Sequence, residues 1–533
     1  MTPLCMKKDR IHPGLAPRPR VGVGLSSGMP TPSAAPSTTT GPTPVLPTDS
    51  RGWLERVWAS IADRGRAYAD VPAMGLPAID RTRLLAESML SERGEASGAA
   101  VARELLESLT ALGPEDRKAF FRYLAEGFTP EPEALRKAAE AWLAEPTLEA
   151  VARLADAAEP PRQELLRRMN MAPGATGALI ALREELLGLL RGDPALRVLD
   201  ADLRHLFASW FNRGFLELRR IDWQTPAAVL EKLIAYEAVH EIQGWDDLRR
   251  RLAADRRCFA FFHPALPGEP LIFVEVALVE GLATAVQPLL ARGGPSDDPR
   301  RADTAIFYSI SNCQEGLRGI SFGNFLIKQV VEELKAELPQ LVRFATLSPV
   351  PGFRRWLERN LAAPEGEADA AFKSEDAAAL AAAATGDTAA APADALPALG
   401  AEGWWRDEAR CEAVRAPLLR LASAYLTRPS KGASGFDPVA RFHLGNGAVL
   451  EQVNYLGNTS ARGMRESFGV MVNYLYDRDR IEANHESFVR SGEVVRSAAV
   501  DALLRAANGA FPSRGGLARR LLGGEEKAGP KPG

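Results

Sequence analysis

Three side chains and one loop in this 533-residue chain have the types and spacing to do chemistry. The loop, Asn312-Cys-Gln-Glu-Gly-Leu-Arg-Gly-Ile-Ser-Phe-Gly323, lies between a strand-like run over 304–311 and a helical run over 324–337. Backbone N–H groups left unpaired where a helix opens, together with the helix dipole, form an anion site. The expected anion is a phosphate, and Gly319 and Gly323 let the backbone come close to it. Within the loop, Gly319-Ile-Ser-Phe-Gly323 also fits G-x-S-x-G, which would make Ser321 a nucleophile on a tight strand-to-helix turn. Such a turn holds its serine at the strand end, whereas Ser321 lies ten residues beyond Ser311. The second serine, Ser348, closes the next strand-like run, 341–348, beside the loop. The third side chain is His443, in Arg441-Phe-His-Leu-Gly-Asn-Gly447. That segment is expected to be a turn opening a strand over 448–454, where an imidazole can serve as general acid or hydrogen-bond donor.

These groups need a framework. The run Thr304-Ala-Ile-Phe-Tyr-Ser-Ile-Ser311 is rich in β-branched and aromatic residues, so strand, loop, helix and strand follow one another across the candidate site. Upstream, 258–263 and 271–279 are expected strands joined by Pro267-Gly-Glu-Pro270, a hairpin candidate. From Trp53 to Phe207 the pattern is helical throughout. Val101, Leu105, Leu106 and Leu109 form one apolar stripe, Phe120, Phe121 and Leu124 a second. Further stripes follow at Leu135, Ala138 and Trp142, and at Leu148, Val151 and Leu154, with prolines punctuating the helices. This region is expected to pack or oligomerise as a domain over 52–205. The catalytic domain would cover 206–510, with a mobile, low-complexity surface insertion at 362–400. Residues 1–51 and 511–533 are expected tails; basic residues near the start also raise a transit peptide, but no amphipathic segment accompanies them.

Composition narrows the function. A net charge of −3 gives no reason to expect nucleic acid or an anionic membrane as partner. No apolar run reaches the roughly 18 residues of a membrane span. Cys5, Cys258, Cys313 and Cys411 are far apart, without metal spacing, as suits free thiols in a cytoplasmic protein. The remaining histidines, His12, His205, His240, His263 and His485, show no ligand spacing, and no metal or organic cofactor is expected.

The segment Arg318-Gly-Ile-Ser-Phe-Gly323 resembles the R-x-x-G-x-G/A-like loop with which GCN5-related N-acetyltransferases hold the pyrophosphate of coenzyme A. Together with Phe307-Tyr-Ser-Ile-Ser311, Leu347-Ser-Pro-Val-Pro-Gly-Phe353, Phe442-His-Leu-Gly-Asn-Gly-Ala-Val-Leu450 and Asn473-Tyr-Leu-Tyr476, it makes the chain similar to malonyl-CoA decarboxylases. The resemblance implies an N-terminal helical bundle used in homo-oligomerisation, then a catalytic domain of the N-acetyltransferase fold. It implies Ser348 and His443 as the catalytic pair, Tyr476 beside them, and Arg318, Gly319, Ile320, Ser321, Phe322, Gly323 and Asn324 as the coenzyme A loop. Human-type members carry a glutamate where this chain has Ser321, so no role of that carboxylate carries over. The C-terminus also lacks the Ser-Lys-Leu of animal members. The implied activity is decarboxylation of malonyl-CoA through a thioester enolate. The alternatives are a coenzyme A-dependent N-acyltransferase on the same fold and a serine hydrolase or thioesterase using Ser321.

Overall fold

A computed structural model describes residues 53–66, 69, 75–91, 94–292, 297–320, 326–364, 367–428 and 435–505. The expected tails and the loop residues Ser321, Phe322, Gly323 and Asn324 lie outside the described residues.

Nine α-helices, from Trp53–Gly65 to Arg197–Trp210, build the first part of the described chain. Pro114, Pro132 and Pro161 each open one, in the first turn, where a missing N–H leaves no hydrogen bond unmade. The stripes Val101, Leu105, Leu106, Leu109 and Phe120, Phe121, Leu124 are buried as expected. The next two stripes are not. Helix Pro132–Ala144 buries no residue and Leu148–Ala158 buries Ala150 alone. These two helices pack on each other, while Trp142, Leu143, Leu148 and Val151 face outward, Leu148 at 90% exposure.

The rest is a mixed sheet flanked by helices. Its strands are β1 (Glu217–Ile221), β2 (Arg256–Phe262), β3 (Ile272–Val279), β4 (Thr304–Asn312), β5 (Arg343–Thr346), β6 (Ser348–Pro349), β7 (Val449–Asn454) and β8 (Met471–Leu475). They run in the order β1-β2-β3-β4-β5-β8-β6, with β7 also on β8. The expected hairpin is the antiparallel pair β2–β3. The central strands are buried almost end to end on both faces, and carry buried polar side chains, among them Arg256, Glu275, Ser309 and Ser311, between their apolar residues.

β4 and β5 are the parallel pair, connected by the helix Leu326–Glu337, whose Ile327, Val330, Val331 and Leu334 are buried. Pairing runs from Thr304 to Phe307 opposite Arg343 to Thr346. Just beyond, the β3–β4 register slips: Val276 faces Phe307 and Glu275 faces Ser309, leaving Tyr308 as an extra residue on β4. A bulge bends and twists the strand that carries it. β4 continues to Asn312 beyond the end of β5, so their pairing stops beside the candidate site.

The described residues of 362–400, expected as a mobile surface insertion, include helices with buried side chains. The segment contains the helix Ser374–Thr385, which packs against helix Glu408–Thr427 and carries Ala377, Leu380, Ala381 and Ala384, all at most 1% exposed, and the helix Ala395–Gly400, which packs on Ser374–Thr385. Alanine repeats that look like low complexity are here the small side chains that let helices approach closely, and Arg420 donates to the Asp376 carboxylate at 2.6 Å within the contact.

Candidate active site

Ser348 is aimed by a break in the sheet. Between β5 and β6, side chains replace part of the ladder: Asn473 Nδ2 donates to the Thr346 carbonyl at 2.8 Å and the Tyr474 N–H to Thr346 Oγ1 at 3.2 Å. Pairing resumes with Ser348 opposite Val472. Two residues apart on extended backbone, Thr346 and Ser348 point to the same face, and Ser348 Oγ donates to Thr346 Oγ1 at 2.9 Å.

His443 arrives from the other side. It lies in the last turn of the helix Pro438–Gly445, not in a turn leading to a strand as expected. The Asp437 carboxylate caps this helix through the Val439 and Ala440 N–H groups. The same carboxylate accepts from the Gly352 N–H at 3.1 Å and from Tyr425 Oη at 3.0 Å. Thus one side chain ties the histidine-bearing helix to the segment that follows Ser348. Gly447 then turns the chain with φ of +81°, where a Cβ would lie 2.1 Å from the Ile481 carbonyl, so glycine is required.

These elements bring Ser348 Oγ within 3.0 Å of His443 Nε2, and Tyr476 Oη within 2.8 Å of His443 Nδ1. Tyr474 stacks on the imidazole at 4.7 Å and Phe442 meets it edge-on at 5.0 Å. All three polar partners are buried. Burial pulls the His443 imidazolium down to about 3, so the ring is neutral, and pushes the Tyr476 phenol well above its usual range, so its O–H is kept.

The pair opens onto a cavity of about 740 Å³, lined by Phe307 and Ile310 of β4, Gly319 and Ile320 of the loop, Leu326 and Ile327 of the following helix, and Pro349, Val439 and Phe442. Arg441 is the one cationic residue among those described that line it. A volume of this size suits a small molecule or one arm of a cofactor-sized one. The described start of the loop includes a short 3₁₀ turn, Glu315–Leu317, which was not foreseen. Arg318 points to solvent beside Glu315, while Gly319 and Ile320 reach the cavity.

The loop is held from behind by the helical region. Arg183, 1% exposed, pairs with Asp200 at 2.8 Å and donates to the carbonyls of Gly316 at 2.6 Å and Arg318 at 3.0 Å. In a planar trans peptide the N–H points opposite to the C=O. Holding the Arg318 carbonyl therefore turns the Gly319 N–H away from Arg183. Gly316 sits so close that a Cβ there would be 2.0 Å from the Ile180 carbonyl.

With this geometry in place, comparison with known proteins is decisive. The family model for the malonyl-CoA decarboxylase C-terminal domain matches residues 214–513, and that for the N-terminal domain matches 128–211. The chain belongs to the malonyl-CoA decarboxylase family. It is 36% identical over 346 residues to the mitochondrial malonyl-CoA decarboxylase of Anser anser anser, covering 63% of this chain and 68% of the relative. The Rattus norvegicus protein of the same name is 36% identical over 360 residues, 66% of this chain and 72% of the relative. The crystal structure of malonyl-CoA decarboxylase from Rhodopseudomonas palustris is similar with a TM-score of 0.72 and 49% identity, over 80% of this chain and 99% of that one. That from Cupriavidus metallidurans gives 0.62 and 39%, over 80% and 100%.

For this family member, sequence reasoning named Ser348, His443 and Tyr476, and the fold brings all three together. It missed Thr346, Tyr474, Asp437 and Arg183. Thr346 carried a signal, because strand alternation puts it on the face of Ser348. Arg183 carried none: the loop carbonyls it holds lie more than 130 residues away.

Proposed function

We propose that this protein decarboxylates malonyl-CoA to acetyl-CoA and CO₂ on a catalytic domain of the N-acetyltransferase fold, with Ser348 and His443 as the catalytic pair. The observation that carries the reading is the chain Tyr476, His443 and Ser348 at the wall of a cavity that also touches the glycine loop. The N-acetyltransferase fold is supported by the parallel β4–β5 pair, whose pairing ends at Phe307 beside the cavity, where a pantetheine arm would enter. The loop at 318–324 would take the pyrophosphate outside that point of entry.

In the reaction, the bond between the carboxyl carbon and the α-carbon breaks, CO₂ leaves, and the electron pair moves into the thioester enolate. Donors placed at the enolate oxygen lower this barrier; losing one typically costs about 10²–10³ in rate. The α-carbon then takes one proton, which water replaces on the enzyme. His443, neutral and buried, would meet the substrate as an uncharged donor beside Ser348, both lining the cavity. General acid catalysis of this kind contributes about 10²–10⁴. Nothing in this sequence of steps calls on a metal or an organic cofactor.

The test is to incubate purified protein with malonyl-CoA and no acceptor. Acetyl-CoA and CO₂ in equal amounts are expected. Free coenzyme A would mean a thioesterase, and turnover only with an amine would mean an acyltransferase. His443→Ala and Ser348→Ala should each lose at least about 10²-fold in kcat while still binding coenzyme A, and wild-type turnover in either rules out the dyad. Homo-oligomerisation through the helical region and a cytoplasmic location belong to the same proposal. No described helix is long and apolar enough to cross a membrane.

A further inference from the structure

Ser348 has one hydroxyl hydrogen, and it goes to Thr346 Oγ1 at 2.9 Å. The hydrogen in the 3.0 Å contact between Ser348 Oγ and His443 Nε2 must then come from the ring. A neutral imidazole that donates from Nε2 has no hydrogen on Nδ1. Nδ1 therefore accepts, and the Tyr476 hydroxyl, 2.8 Å away, is the donor. The chain runs one way, from Tyr476 through His443 and Ser348 to Thr346.

The far end of this chain is rigid. Thr346 is fully buried. Its Oγ1 also accepts the Tyr474 N–H at 3.2 Å, and its carbonyl accepts Asn473 Nδ2 at 2.8 Å. Asn473 is itself fixed, donating to the Ala283 carbonyl at 3.0 Å and accepting from Asn454 Nδ2 at 2.8 Å. These contacts fix where Thr346 Oγ1 lies, as the acceptor at the end of the chain.

We infer that Thr346 is a positioning residue that sets the direction of this chain and so holds His443 as the Nε2–H tautomer, with its hydrogen on the Ser348 side. The functional weight of the inference rests on the Ser348–His443 reading given above. Without the Thr346 hydroxyl, the Ser348 hydrogen turns to His443 Nε2. The ring then carries its hydrogen on Nδ1, donating to Tyr476, and no longer presents one toward the cavity.

The experiment uses full-length protein labelled with [15N]histidine, free of substrate, with the His443 signals assigned by their loss in His443→Gln. Wild type and Thr346→Ser should show a protonated Nε2 and a bare Nδ1, and Thr346→Val the reverse. With malonyl-CoA, Thr346→Val should lose about 10²-fold in kcat with KM within about threefold, while Thr346→Ser stays near wild type. A protonated Nδ1 in the wild type overturns the inference whatever the variants do. So does an unchanged tautomer in folded Thr346→Val, or a loss in Thr346→Ser as deep as in valine. An active His443→Ala would instead sink the dyad and leave the tautomer pattern standing, so the two failures are distinguishable.

Discussion

At the scale of single residues, burial decides how His443 behaves toward protons. In the unfolded chain it titrates near 6.5, in the folded protein near 3. Between these values the unfolded state binds more protons, so this residue's contribution to stability is complete above pH 6.5 and is lost as pH falls toward 3. The slope is at most about 1.4 kcal/mol per pH unit. Two outcomes follow. The kcat/KM profile should have no His443 inflection between pH 5 and 8, and His443→Gln should flatten the acid limb of the unfolding midpoint between pH 4 and 6.5. An inflection near 6.5 that disappears in the glutamine variant would show the ring to be more solvated than its surroundings dictate. The side chains proposed to act on substrate, Ser348 and His443, could be picked out because they sit in dense local motifs. Their orientation could not. Whether Ser348 can reach His443 depends on the interrupted ladder at Thr346, and that interruption is made by Asn473 and Tyr474, more than a hundred residues downstream.

Among the elements, the strand, loop, helix and strand of the site were readable from β-branched runs and a helical period, and they stand as β4, Leu326–Glu337 and β5. Two kinds of element were misread for one shared reason. Alanine-rich 374–400 and the stripes on Pro132–Ala144 and Leu148–Ala158 have the same local texture in or out of a core. Which face is covered is decided by neighbours distant in sequence. Arg183 illustrates the functional side of such contacts, since it orients the loop from a helix with no chemistry of its own. Arg183→Met should weaken coenzyme A binding about tenfold or more by calorimetry, while kcat at saturating malonyl-CoA changes by less than about threefold, because one buried charged hydrogen-bonding group contributes about 1.5–3 kcal/mol. Unchanged affinity would separate the loop's shape from its anchor.

For the whole molecule, the helices Pro132–Ala144 and Leu148–Ala158 leave Leu143 at 72% and Leu148 at 90% exposure. The homo-oligomer proposed above would bury this apolar surface at its interface. Leu143→Asp with Leu148→Asp should lower the mass measured by analytical ultracentrifugation toward the 57.6 kDa of one chain and leave the far-ultraviolet circular dichroism unchanged. An unaltered mass would move the interface elsewhere. The two family models meet between residues 211 and 214, as though the chain could be divided there. The Arg183 anchor and the close fit of Gly316 against Ile180 cross that line. Anyone trimming this enzyme to residues 214 onward for engineering, or grafting on the helical part of a relative, would be cutting through the support of the 315–320 segment, and should carry residues 175–213 along with it.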